Sequence, residues 1–175
     1  MDDIDFEKRI EAISEIRSQR SSRYLAILEE SEDLTALILK GHLVVEELLT
    51  SGIEAYCQDV DQLKKANLRF AQKLPLLRAL ERLPVVNPRF WDAIARLNRL
   101  RNELAHNLES SRIDEISGTF VKAVEAASSV GTKFPEPKES REALSQALSF
   151  IIGGLEVLVF WHEGVEEMML KRISE

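Results

Sequence analysis

Apolar residues recur along most of this chain at intervals of three and four, the period of a helix with one buried face. Phe6, Ile10, Ile13 and Ile16 form one such stripe and predict a first helix over about Ile4–Arg17. A short helical turn near Ser22–Glu29 is expected to lead into the second. That helix should be long, about Asp33–Cys57, with Leu34, Leu37, Ile38, Gly41, Val44, Val45 and Leu48 on its core face. Ser31 or Asp33 can cap its start. A third helix is expected over about Asp61–Lys73, and a fourth from Pro75 to about Leu83. Asn87-Pro88 is a start signal, a capping side chain followed by proline at the first helical position. It predicts a fifth helix reaching about Asn107. A polar break at Glu109-Ser110-Ser111 separates this from a sixth, about Ile113–Ser129. The longest loop, Gly131–Lys138, holds Pro135 and Pro137, after which Ser140 caps a last helix running to about Arg172. The expectation is an all-α protein: one bundle of six or seven helices over residues 1–175, with a long early helix and a long C-terminal one. Residues 1–31 form a helical arm and 33–172 the bundle.

Composition agrees with that pattern. The 175 residues are 45% hydrophobic and 30% charged, with seven glycines, a balance suited to a helical core rather than to a disordered chain or a β-sandwich. The most apolar stretch, Leu148–Trp161, is interrupted by Gly153, Gly154 and Glu156 and falls short of the ~20 apolar residues of a membrane span. It reads as a core helix, with the glycines admitting a close neighbour. The single cysteine, Cys57, allows no internal disulfide and has no CxxC partner, which fits a reducing compartment and a small core residue near a helix end. The acidic start Met1-Asp2-Asp3 is not a secretory signal. A cytoplasmic protein without a membrane anchor is expected.

Charge is uneven. The net charge of −7 conceals a middle segment, Asp61–Arg112, with eleven Lys/Arg against five Asp/Glu, while the rest of the chain is strongly acidic. Such a segment can face phosphates, or it can simply solvate helix surfaces.

The fifth helix carries the candidate chemistry. Phe90, Ala93, Ile94, Leu97, Leu100 and Leu104 share one face, the core stripe; Asp92, Arg96, Arg99 and Glu103 form a charged face. Between them lies a third sector with Trp91, Ala95, Asn98, Arg101, Asn102, Ala105 and His106. Small residues, one large aromatic and several hydrogen-bonding groups together suit contact with another helix. Arg101 sits near the core stripe, where leucine would be expected, and a buried guanidinium needs a partner. His106 follows Asn102 by one turn, so the amide can orient the imidazole. Arg101 and His106 are five residues apart, about 140° around a regular helix. A site using both is easier to build where two copies of the helix meet.

Arg101-Asn102-x-x-x-His106 resembles the R-x(4–6)-H motif of the HEPN superfamily, including the polar residue after the arginine. Its late position in a helix, followed by a polar loop, also fits, and Leu37–Leu49 resembles the long early helix of such domains. The resemblance spans about Leu34–Leu108. It implies a HEPN-like bundle acting as a homodimer, with metal-independent RNA cleavage at the cleft between two such helices. His106 would then be the acid/base at the ribose 2′-hydroxyl or the leaving oxygen. Arg101 would stabilise charge on the phosphate, and Asn102 would position His106 or bind a phosphate oxygen. The products would be a 2′,3′-cyclic phosphate and a 5′-hydroxyl. No cofactor or metal is implied, and an antitoxin or regulatory protein could be a further partner. Leu108 stands where toxin members paired with a nucleotidyltransferase antitoxin often carry tyrosine, so control through that tyrosine is not implied.

His42, Glu46 and Asn98 are secondary candidates. His42 lies one turn before Glu46, which suggests a structural pair more than a second catalytic base, and His162 reads as structural too. The order of helices also resembles the mannitol operon repressor family, for which a non-catalytic regulatory or interaction role is implied. No helix-turn-helix is evident, so direct reading of DNA is not expected.

Overall fold

Four of the helices start where a side chain satisfies one of the first free amides. The computed structural model of the protein describes residues 3–81, 87–106, 110–128 and 131–162. Asp33 caps α2 (Leu34–Glu54), its carboxylate accepting from the Ala36 amide at 2.7 Å. Asp59 does the same for α3 (Val60–Ala66) and Ser140 for α7 (Arg141–Phe160). Asn87 opens α5 (Pro88–His106) by accepting from the Arg89 amide, and its own amide donates to the Ala127 carbonyl at the end of α6 (Ser110–Ala127). With α1 (Asp3–Glu29) and α4 (Phe70–Leu80) there are seven helices and no strand among the described residues.

The all-α bundle agrees with the sequence; two boundaries differ. First, α1 is one continuous helix of 27 residues rather than a helix to Arg17 and a separate turn. The serine-rich stretch does not break it, because Ser22 bonds back to the Ser18 carbonyl at 2.9 Å and Ser21 reaches across to α7. Ile16, the last residue of the predicted stripe, is exposed, whereas Tyr24 and Leu28 are fully buried. The second half of α1 is therefore part of the bundle.

Second, the break expected at Pro75 occurs earlier. Asn67, in the left-handed region at φ 46°, ends α3, and α4 restarts at Phe70 with the Gln72 side chain accepting from the Arg69 amide. Pro75 sits inside α4 on its exposed side, forfeiting one backbone hydrogen bond. Of the two residues that could cap α2, Asp33 is the one used; Ser31 is buried and donates to the Ile27 carbonyl. The ends expected at Leu83, Asn107 and Ser129, and the stretch of the last helix beyond His162, lie outside the described residues.

At the centre is α7. It packs against α1, α2 and α6, and its Gly154 admits the ring of Phe90 from α5. Ala147, Leu148, Ile151, Leu155 and Val159 are fully buried. By length and composition α7 could cross a bilayer, yet 56% of its apolar window is buried inside the bundle, as in a core helix. The close approach expected at the glycine pair holds for Gly154, where an added Cβ would lie 2.6 Å from Phe90, and not for Gly153, which faces open space. Gly41 of α2 serves the same purpose against Leu148.

Glu156, the charge inside this apolar helix, is buried because both carboxylate oxygens accept from the Ser21 hydroxyl, at 2.7 and 2.8 Å. Arg141 closes the opposite end of α1, donating to the carbonyls of Glu29 and Ser31. In the 131–138 loop the ammonium of buried Lys138 donates to Glu125 at 2.5 Å and to the Phe134 carbonyl at 2.7 Å. The bundle thus presents α5 as a rigid element, seated on α6, α2 and α4.

Candidate functional site

The core stripe of α5 is buried as its spacing requires: Phe90, Ala93, Ile94, Leu97, Leu100 and Leu104 all face inward. The third sector divides. Trp91 joins the core, edge-on to Phe90, and Asn98 is half-buried, whereas Ala95, Arg101, Asn102, Ala105 and His106 are exposed. Arg101 is therefore not the buried cation its position on the wheel suggests. Its guanidinium lies over the helix surface and Nη1 donates to Asn102 Oδ1 at 3.2 Å. Asn102 thus engages the arginine beside it rather than the imidazole one turn on. His106 lies in the last turn of α5.

The secondary candidates meet at one junction. His42 is only 6% exposed, stacked on Phe70 of α4 with ring centroids 4.3 Å apart. Its Nε2 lies 3.1 Å from Asn98 Oδ1, so the imidazole donates across the α2–α5 seam. Glu46 is not its hydrogen-bonding partner; that carboxylate pairs with Lys73 of α4 at 2.9 Å. Burial is the main force on His42 and holds its pKa below the ordinary 6.5; the Asn98 bond and the Glu46 charge oppose it, and the Arg101 charge adds to it. His42, Asn98, Glu46 and the field of Arg101 are thus gathered where α2, α4 and α5 meet.

A pH dependence follows. Because the folded pKa of His42 is depressed, the unfolded chain takes up the proton first on acidification. The stabilising contribution of the neutral ring is complete above the unfolded value near 6.5 and is lost as pH falls through the folded value. Unfolding midpoints should decline from about pH 7 to about pH 5, and His42→Phe should flatten that decline. Equal slopes for both proteins would remove His42 as the cause.

Other polar groups could not be placed from sequence. His162, at the end of α7, bonds the Tyr56 hydroxyl at 2.8 Å and Glu81 at 3.2 Å, deep in the protein, in keeping with a structural role. Its partners come from segments 81 and 106 residues away, and no local signal links them. Cys57 is half-buried against the core just after α2. Two clefts are open to solvent. One, of about 200 Å³, lies among Ile53, Leu63, Leu68 and Lys73. The other, of about 230 Å³, lies between α5 and α6 and is lined by Arg96, Arg99, Glu115, Ile116, Thr119 and Phe120. Neither is lined by Arg101 or His106. Among the described residues no group of three or more His, Cys, Asp or Glu side chains could hold a metal ion. Compared with known proteins, the chain matches no family model, no curated protein and no solved structure.

Proposed function

We propose that this chain is a metal-independent endoribonuclease of the HEPN type. It works as a cytoplasmic homodimer, with Arg101, Asn102 and His106 of two facing α5 ends lining a shared cleft. The observation that carries this reading is that all three side chains are exposed at one end of α5.

In this chemistry the ribose 2′-oxygen attacks the adjacent phosphorus as an imidazole takes its proton. The bond from phosphorus to the 5′-oxygen breaks, and an imidazolium returns a proton to the leaving oxygen. Arg101 holds the extra negative charge that develops on the phosphate oxygens, and Asn102 aims that guanidinium. The 140° offset between Arg101 and His106 is met by a second copy supplying the opposite wall. Leu39 and Leu43, one turn apart on α2 and 39% and 64% exposed, offer apolar area for such pairing.

The test combines two measurements on the purified protein: its mass in solution, and its action on mixed RNA with a chelator present. A dimer that leaves cyclic-phosphate ends is expected. The exposed alanines and leucines also favour a second reading, a non-catalytic interaction or regulatory protein that pairs through the same face. A dimer that leaves RNA intact selects that reading, and a monomer without activity removes the first.

A further inference from the structure

The α5–α6 groove has the charge of a phosphate site and lies beside the proposed catalytic end. Arg96 and Arg99 stand three residues apart on one wall, and both are exposed. Each has a carboxylate four residues away on α5 that could neutralise it. Those carboxylates are drawn elsewhere. Asp92, four before Arg96, pairs with Arg78 at 3.5 Å, and Glu103, four after Arg99, pairs with Arg112 at 3.2 Å. The opposite wall supplies one acid, Glu115, which forms no ion pair with either arginine among the described residues. Two exposed guanidiniums thus line one groove together with Ile116 and Phe120, and among the described residues no carboxylate pairs with either.

The groove also has a direction. Ala95, Arg99, Asn102 and His106 follow at helical spacing and are all exposed, so one solvent-facing stripe runs from the groove to the end of α5. Arg99 and His106 are seven residues apart, about 10 Å along the axis. A strand whose phosphate lay at His106 would carry its neighbouring phosphates over Arg99 and Arg96.

We propose that Arg96 and Arg99 form a phosphate-binding track for single-stranded RNA, feeding the strand toward His106. The track rests on the ribonuclease reading for its substrate. Its role is backbone binding, which gives affinity without sequence preference. Neither arginine takes part in the chemical step.

Binding of a short labelled single-stranded oligoribonucleotide is measured in the His106→Ala background, so that the probe survives, over a series of salt concentrations. Arg96→Gln with Arg99→Gln should weaken binding on the order of tenfold at low salt and reduce the slope of log affinity against log salt by about 1.4. Lys64→Gln with Lys65→Gln, a charge-matched pair on exposed α3, should leave both unchanged. Circular dichroism confirms that each variant is folded. Equal losses in the two double variants would mean unspecific attraction and overturn the track, as would no loss in either or no binding by the parent. If the track binds RNA while the unsubstituted protein leaves RNA uncut, the nuclease reading fails and the track stands. If that protein cuts RNA and the Arg96/Arg99 variant binds normally, the reverse holds.

Discussion

Replacing His106 with alanine is expected to lower RNA cleavage by about 10²–10⁴-fold, the range for loss of a general acid/base, with thermal stability unchanged to within about 0.5 kcal/mol. The two halves of this expectation have one cause. His106 is exposed at the last turn of α5, so its ring can reach a substrate and its loss opens no cavity. Arg101→Ala should cost about 10²–10³-fold through lost charge stabilisation. Asn102→Ala should cost less, because the guanidinium remains and only its aim is disturbed. Cleavage products from wild type and variants, followed over time with chelator present, decide the matter. Activity in His106→Ala within threefold of wild type would end the assignment of this imidazole, and an accompanying fall in the unfolding midpoint would mark it as structural.

Gly41→Val should produce a large loss of stability. A Cβ at Gly41 would lie 2.7 and 2.8 Å from the two methyl carbons of Leu148 and 3.3 Å from its Cγ, so the whole side chain would have to move. Leu148 is fully buried, so any movement of it disturbs the core around it. Valine adds two further carbons beyond Cβ, which places the cost near the upper end for overpacking, about 3 kcal/mol, against a helix-propensity gain of only a few tenths. The midpoint should fall by about 6–12 °C for a chain of this size. Gly153→Ala is the opposite case. Nothing lies within 4 Å of its added carbon, so the gain in helix propensity stands alone, about 0.5–1 kcal/mol. Melting curves of both variants test the packing of α2 on α7 directly. A Gly41→Val protein as stable as wild type would mean these helices do not meet there.

Helix starts were the most legible feature because their causes are local. Asp33, Asn87-Pro88 and Ser140 each act on amides two or three residues away, and each begins its helix where the residues indicate. The course of α1 was less legible because burial depends on a neighbour distant in sequence. Ile16 has the right period yet is exposed among the described residues, while Ser21 gains a partner 135 residues on. Arg101 shows the same limit at the candidate site. Its angle on the wheel is near the core stripe, but an angle does not say what stands opposite. In that sector α2 supplies His42, which meets Asn98 and leaves Arg101 in solvent. His42 and Asn98 could each be singled out as polar groups in helical settings; their bond spans 56 residues and has no sequence signature. Arg96 and Arg99 read as an ordinary charged face until the diversion of Asp92 and Glu103 is seen.

The central position of α7 also governs how the protein must be made. A ribosome completes α1 through α6 before any of the helix that joins them exists. From the appearance of Leu34 to that of Phe160, about 6–25 s at ordinary elongation rates, the part of α2 that packs on α7, Gly41 included, waits for its cover. The seam between α2 and α7 therefore closes only once the last described helix is made, and chains that end before Ser140 are expected to be cleaved by a protease faster than the full chain.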